Sequence, residues 1–583
     1  MRKKNREYVK NSKPKLTDRM RPRKSNRDYV MEQQNNKENN DRLPERGRSA
    51  ATGRSLPGNM EDDDSYSDRI PGEVPRTPRG DLSRVEKIEG MFVPKSGKRL
   101  RTNRYMLYTS FLILLLFGGL IFYLARFTTY EAEAIITSPY NKRSSSLAQN
   151  VRRGSIKSAN DKVLAETGID DDGEEYRYYP YEDIFAHAVG YANHGKAGVE
   201  SAYNYELMTS HERLIEQFKQ GIRGRKNIGD TVVTTLDTRL QKRAYEALGS
   251  RRGAILAIEP KTGKVRAMVS KPDFDPNTLD ADWEDINAEE NNSCLLNRCV
   301  QGLYPPGSTY KILTALEYIE ENPGSYQKFT YRCKGEDIVN SVHISCYGGQ
   351  SHGEEDLSKA FAKSCNTAFV QIGSRLNLNR FINLNRKFLF DSKIDFDLTV
   401  KQSRFGLNSR SEKSDIPQTS IGQGNTLMTP MHNALIMCAI ANDGVLIKPS
   451  MVDRIESADG VEVSRTKVGR GKRLADESDA KILQKLLRTV VTEGTGYAVN
   501  TDRYTAAGKT GTAENSGDGD HSWFVGYSNV EDPDLVVCVI VENGGAGSEV
   551  AAPIADELFS CYYDNEMYRD YRDRADDSED AED

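Results

Sequence analysis

Apolar and polar positions follow several patterns along the 583 residues. Residues 105–124 form a nearly unbroken apolar run bounded by Arg104 and Arg126. About 20 residues is the length a helix needs to cross a bilayer, so this run predicts one membrane-spanning helix. From residue 229 onward the runs shorten into the texture of a compact domain. Residues 231–236 read as a strand, with Asp237 capping a helix over 238–248. Apolar runs at 253–259 and 264–270, joined by Pro260-Lys261-Thr262-Gly263, predict a hairpin. Ile312, Leu316 and Ile319 share one stripe, which predicts an amphipathic helix through Glu321. Helical patterns fill much of 311–442, including 357–372. Three strands are expected at 504–513, 522–527 and 534–542, with a turn at 515–520 between the first two and a final helix at 552–562. Strands at both ends of a domain with a helical middle predict an antiparallel sheet with helices on its faces, an α+β fold.

Charge refines this layout. The chain carries −5 overall, unevenly spread. Residues 1–104 are basic, poor in large apolar residues and without periodicity, and read as a disordered tail. Residues 564–583 read as a disordered acidic tail. Lys95, Lys98, Arg99, Arg101 and Arg104 crowd the N-terminal side of the apolar run, so the tail is expected in the cytoplasm and the remainder outside. A cleaved signal peptide fits poorly, because the apolar run is too long and so is the segment before it. Residues 127–228 are expected to form a small pedestal domain and 229–563 the main domain. Glu200, in the pedestal, reads as an exposed or salt-bridged residue rather than a catalytic acid. Eight cysteines in an exported chain invite disulfides. Cys333 and Cys346 flank a short loop and make the best candidate pair, whereas Cys365, Cys438 and Cys538 fall in apolar surroundings and read as buried and free. No Cys or His grouping has zinc spacing, so no metal is expected.

Candidate chemistry centres on Tyr304-Pro305-Pro306-Gly307-Ser308-Thr309-Tyr310-Lys311. The two prolines and Gly307 cannot continue a helix backwards, so the helix is expected to begin at or near Ser308. Ser308 and Lys311 then share one face of its first turn, a hydroxyl beside an amine. Other Ser-x-x-Lys matches, Ser12/Lys15, Ser325/Lys328 and Ser478/Lys481, fall in a tail, a loop and a helix start. Two further fragments stand out. Ser364-Cys365-Asn366 lies in the helical pattern 357–372, where a capping role is the ordinary reading. Lys509-Thr510-Gly511-Thr512 lies on a strand whose glycines let a ligand approach the edge.

Taken together, Ser308-x-x-Lys311, Ser364-x-Asn366 and Lys509-Thr510-Gly511 resemble the ordered motifs of penicillin-binding proteins and serine β-lactamases. Residues 420–424, 441–444 and 523–526 strengthen a resemblance to the transpeptidase domain of class B penicillin-binding proteins. Asn141-x-Arg143, Arg153-Gly154-x-Ile156 and the region 190–203 resemble the short pedestal of the penicillin-binding protein A type. Lys157-Ser158-Ala159 departs from the Asp-Arg common at that point, and Cys365 stands between the conventional Ser and Asn. The resemblance implies a β-lactamase/transpeptidase-like fold and a peptidoglycan D,D-transpeptidase. Its catalytic residues would be Ser308, Lys311, Ser364, Asn366 and Lys509, with Thr510, Gly511 and Thr512 binding substrate. It implies stem peptides and β-lactams as ligands, a bacterial membrane location and cell-wall synthesis, divisome or elongasome proteins as partners. No cofactor and no nucleic acid are expected. A class A β-lactamase is disfavoured, since no Glu between Ser364 and Lys509 has Asn four positions later. A D,D-carboxypeptidase and a non-catalytic β-lactam sensor or scaffold stay open as alternatives.

Overall fold

The computed structural model describes residues 97–130 and 151–564, apart from 214–216, 218, 221, 289–291 and 516–518. The N-terminal tail to residue 96, Asn141-x-Arg143, most of the acidic tail and part of the 515–520 turn lie outside these residues. A helix spans Gly97–Tyr130, and its Arg104–Phe127 portion is long and apolar enough to cross a membrane.

The main domain is built on a five-stranded antiparallel sheet. Its strands are β1 (Gly253–Ile258), β2 (Val265–Lys271), β3 (Ala506–Ala513), β4 (His521–Ser528) and β5 (Val536–Val541), in the order β3-β4-β5-β1-β2. β1 and β2 form the expected hairpin, with Gly253 opposite Lys271. Lys261-Thr262-Gly263 is its turn, with Gly263 at φ +74°. All six residues of β1 and of β5 are buried, which their unbroken apolar runs require of a sheet covered on both faces.

Helices cover the two faces. Thr238–Leu248, capped by the Asp237 carboxylate at the N–H groups of Arg239 and Leu240, packs with Ala551–Tyr563 on one side. On the other side lies Pro430–Ala441, buried at every position, which explains why its sequence is apolar all round. Next to it lie α1 (Lys311–Glu321), α2 (Leu357–Ala362) and α3 (Asn366–Gly373).

A second, six-stranded sheet joins the two expected domains. Its order is Glu462–Arg465, Val452–Glu456, Thr231–Thr234, Ile156–Lys157, Val163–Ile169 and Glu175–Tyr178. Three strands therefore come from each side of residue 228. Inside the pedestal Glu200 is wholly buried, accepting from Arg153 Nε at 2.6 Å and Arg177 Nε at 2.7 Å. It is salt-bridged and structural.

Candidate active site

The stretch from Tyr304 to Lys311 is pinned from several sides. Tyr304 OH and Arg298 Nε both donate to Glu542 Oε1, each at 2.7 Å. Trp523 Nε1 donates to the Pro305 carbonyl at 3.1 Å, and the Gly307 N–H donates to the Gly422 carbonyl at 3.0 Å. Gly307–Tyr310 forms a 3-10 turn that runs straight into α1. The helix was expected near Ser308; the tighter turn begins one residue earlier and the α-helix only at Lys311. Residues three apart eclipse one another in a 3-10 turn, so Ser308 and Lys311 still share a face.

Glycine decides how close this turn comes to β3. Gly307 has φ +53°, and a Cβ there would fall 2.6 Å from the Thr512 carbonyl oxygen. A Cβ on Gly511 would come within 3.0 Å of Thr309 Cγ2 and 3.3 Å of the Pro306 carbonyl oxygen. The turn carrying Ser308 and the strand carrying Lys509, Thr510, Gly511 and Thr512 are thus in van der Waals contact.

Lys311 meets the third fragment directly. Its Nζ donates to the Ser364 carbonyl at 2.6 Å and to Asn366 Oδ1 at 2.7 Å, and lies 3.3 Å from Ser364 Oγ. The helical pattern 357–372 divides into α2 and α3, with Ser364 and Asn366 at the break near a helix start, and Ser364 adopts φ +56°. The break has local causes. The Ala362 carbonyl accepts from the Thr495 N–H at 3.2 Å, and the Cys365 side chain caps α3 at the Ala368 N–H. A left-handed serine costs on the order of 1 kcal/mol or more, a strain typical of functional corners.

Lys509 is fully buried, its Nζ donating to the Thr510 carbonyl at 3.1 Å. Both amines face an aromatic wall: Lys509 Nζ is 5.8 Å from the Phe361 ring centre and Lys311 Nζ 5.5 Å from that of Phe369. Ser308, Ser364, Asn366 and Thr512 keep partial exposure, whereas the amines of Lys311 and Lys509 are buried. Thr510 Oγ1 is engaged with Thr495 Oγ1, and Thr512 Oγ1 accepts from the Gly547 N–H at 3.4 Å.

Burial sets the electrostatics. It pushes the Lys311 amine down to about 8, against the opposing pull of Cys365, Cys346 and Glu355. Burial, and then the Lys311 charge, push Lys509 well below the ordinary lysine value. Among the described residues neither amine has a carboxylate partner; both donate to neutral oxygens. A neutral Lys311 has two N–H groups for the Ser364 carbonyl and Asn366 Oδ1, both of which only accept. Its lone pair is then left for a hydroxyl, the arrangement a general base needs.

Two cysteine expectations change. Cys333 and Cys346 are free thiols, their sulfurs 3.7 Å apart. Cys365 is buried and free as expected, but its surroundings are polar: Cys346 Sγ at 3.8 Å and Thr367 Oγ1 at 3.3 Å. Sequence reading missed the Arg298–Glu542–Tyr304 brace and the roles of Thr495 and Gly547. Gly547 carries the clearest signal, since a Cβ there would lie 2.5 Å from the Gly511 carbonyl oxygen.

The whole arrangement has close counterparts. Residues 253–560 match the penicillin-binding protein transpeptidase domain, and 153–232 match the penicillin-binding protein A dimerisation domain. The peptidoglycan D,D-transpeptidase PbpA of Mycolicibacterium smegmatis is 30% identical over 456 residues, 73% of this chain and 92% of that relative. The peptidoglycan D,D-transpeptidase MrdA of Acinetobacter baumannii is 28% identical over 453 residues, 65% of each chain. Penicillin-binding protein A from M. tuberculosis, solved as an imipenem acyl-enzyme complex, superposes with a TM-score of 0.65 at 28% identity, over 71% of this chain and 98% of that one. The D,D-transpeptidase domain of a peptidoglycan glycosyltransferase from Eggerthella lenta gives 0.64, also at 28% identity, over 71% and 99%. A transpeptidase domain preceded by that dimerisation domain makes this chain a member of the class B penicillin-binding proteins.

Proposed function

We propose that Ser308 is the nucleophile of a peptidoglycan D,D-transpeptidase, with Lys311 as its base. The neutral Lys311 amine takes the Ser308 proton as Oγ attacks the carbonyl carbon of the penultimate D-alanine. The backbone N–H groups of Ser308 and Thr512 receive the oxyanion, each donor supplying about 2.7–4 kcal/mol. The peptide C–N bond then breaks. Ser364 relays the proton from Lys311 to the leaving amine, and D-alanine departs. An amine of a neighbouring stem peptide attacks the resulting ester and loses its proton to Lys311, which passes it to Ser308 Oγ as the ester C–O bond breaks. Asn366 holds Lys311 and the substrate amide. Lys509, Thr510, Gly511 and Thr512 receive the substrate carboxylate and the extended peptide edge. A β-lactam enters the same way and leaves Ser308 acylated.

The observation that carries this reading is the Lys311 amine, buried and bound to Ser364 and Asn366, at the start of the helix that follows the Gly307–Tyr310 turn, which carries Ser308 and packs through Gly307 against Thr512. The Arg104–Phe127 helix anchors the chain in a membrane. The basic segment before it supports an orientation with the N-terminus in the cytoplasm and the catalytic domain outside. The long basic tail docks on a cell-wall assembly. Deleting residues 1–98 should displace the protein from its sites of wall growth, and unchanged localisation would refute that docking.

The full chain in detergent, given uncrosslinked glycan strands bearing pentapeptide stems, should release D-alanine and form crosslinked dimers together. Ser308→Ala should do neither. D-alanine release without dimers would identify a carboxypeptidase. β-Lactam binding without either product would identify a sensor or scaffold.

A further inference from the structure

Between the pedestal and the main domain lies a cavity of about 640 Å³ that the proposed reaction does not use. Its volume falls in the range of sites that bury small organic ligands. The strand Glu175–Tyr178, at the edge of the six-stranded sheet, and the segment 191–196 form its pedestal wall. Pro276, Asn277, Leu279 and Asp280 form the wall on the side of the main domain.

The cavity is cationic inside. Arg153, Arg177 and Lys196 line it, and the buried carboxylate among them is Glu200, whose two oxygens accept from the two guanidiniums. Glu175 is paired with Lys226 at 3.1 Å, and the exposed Asp280 with His194 at 2.7 Å and Asn193 Nδ2 at 2.8 Å. The Arg177 side chain is 7% exposed, yet one of its donors is unmet. Nε donates to Glu200, and Nη1 to the Gly154 carbonyl and to Thr167 Oγ1, while Nη2 has no hydrogen-bond partner among the described residues. A buried, charged donor left without an acceptor is costly, so an oxygen brought to it is held firmly. The Lys196 amine also makes no hydrogen bond or ion pair among the described residues. Burial, and then the Arg153 charge, push it below the ordinary lysine value.

Aromatic surface stands beside these donors. Tyr176, Tyr178, Tyr179 and Tyr191 line the cavity, the first two about half exposed. The Tyr176 ring lies across Gly168 of the neighbouring strand, where a Cβ would fall 2.5 Å from its Cζ. Asn204 Oδ1 accepts from Arg153 Nη1 at 2.6 Å, which leaves its Nδ2 as a further donor. A bare anion would use the cations and leave the rings idle. A sugar ring carrying a carboxylate uses both: its C–H face packs on an aromatic ring, and its oxygens meet the cations and the amide.

We infer that this cavity binds an acidic sugar, its carboxylate on Arg177 Nη2 and the Lys196 amine and its ring against Tyr176. Muramic and uronic acids share that chemistry. The inference stands on binding alone and does not depend on the reaction proposed above.

The test is calorimetric titration of the full chain in detergent with N-acetylmuramic acid, glucuronic acid, neutral N-acetylglucosamine and acetate. At least one acidic sugar should bind about tenfold or more tighter than the neutral sugar and than acetate. Its binding should weaken as salt is raised. Lys196→Ala and Tyr176→Ala, both at exposed or half-buried positions, should each weaken it about tenfold while leaving the thermal transition near that of the parent. Preference for N-acetylmuramic acid would support a wall glycan as the source, and preference for glucuronic acid a uronate polysaccharide. Acetate binding as tightly as either acid would overturn the sugar, and equal binding of the neutral sugar would overturn the role of the cations. No binding of either acid, or binding unchanged in both variants, would overturn the site. The titrations of the parent and their salt dependence decide this without any variant having to fold.

Discussion

In the pedestal, Glu200 is completely buried yet sits between the guanidiniums of Arg153 and Arg177. In the main domain Lys311 and Lys509 are equally buried and, among the described residues, have no opposing charge. Burial alone would raise the Glu200 carboxyl, but the two guanidiniums outweigh it and hold it below its usual range. Nothing outweighs burial at the lysines, and both amines are pushed down. A buried charge matched by its neighbours is architecture. Buried amines left unmatched suit the roles proposed for them, moving a proton and receiving an anion.

That contrast yields predictions of decreasing size. Removing the proposed nucleophile is the largest: Ser308→Ala should abolish covalent penicillin labelling while leaving the thermal transition near that of the parent. Lys311→Ala should slow acylation by about 10²–10⁴-fold, read by stopped-flow with a fluorescent β-lactam. Retention of the parent rate would show that Lys311 is only a structural amine. Glu200→Gln reverses the pattern. It leaves two buried guanidiniums uncompensated and should cost about 3–5 kcal/mol in denaturant unfolding, with little change in acylation rate of the folded fraction. A large loss of rate without loss of stability would erase the distinction between the two regions. The smallest effect is in pH. The reactive form of Lys311 is neutral, so acylation should be slow below about 8 and rise as pH passes through that value. A flat profile between pH 6 and 9 would argue against the amine as base.

Much of this was legible before the fold was known. The β1–β2 hairpin, the Asp237-capped helix and the late strands follow from runs whose period and turn residues admit one reading. Ser308, Lys311, Ser364, Asn366 and Lys509 could be singled out as candidates because each lies in a short local motif. The rest depends on contacts between distant segments. Nothing local marks the left-handed Ser364, since its break is forced by the 494–495 turn taking the Ala362 carbonyl. The Tyr304 brace joins Arg298 to Glu542 across 244 positions of sequence. The cluster of Cys333, Cys346 and Cys365 with His352 is assembled by strand pairing, which places Cys333 opposite Gly353 and so brings His352 to the sulfurs. The wide spacing of these cysteines and the histidine hid the cluster from a reading based on local patterns.

The central claim is that the Ser308 hydroxyl, beside a deprotonated Lys311, is the acylated group. Intact-mass and peptide-mapping mass spectrometry of the full chain after exposure to benzylpenicillin tests it directly. The account predicts a single penicilloyl adduct on the peptide containing Ser308. An adduct on any other residue, or none at a concentration that labels an active relative, would contradict it.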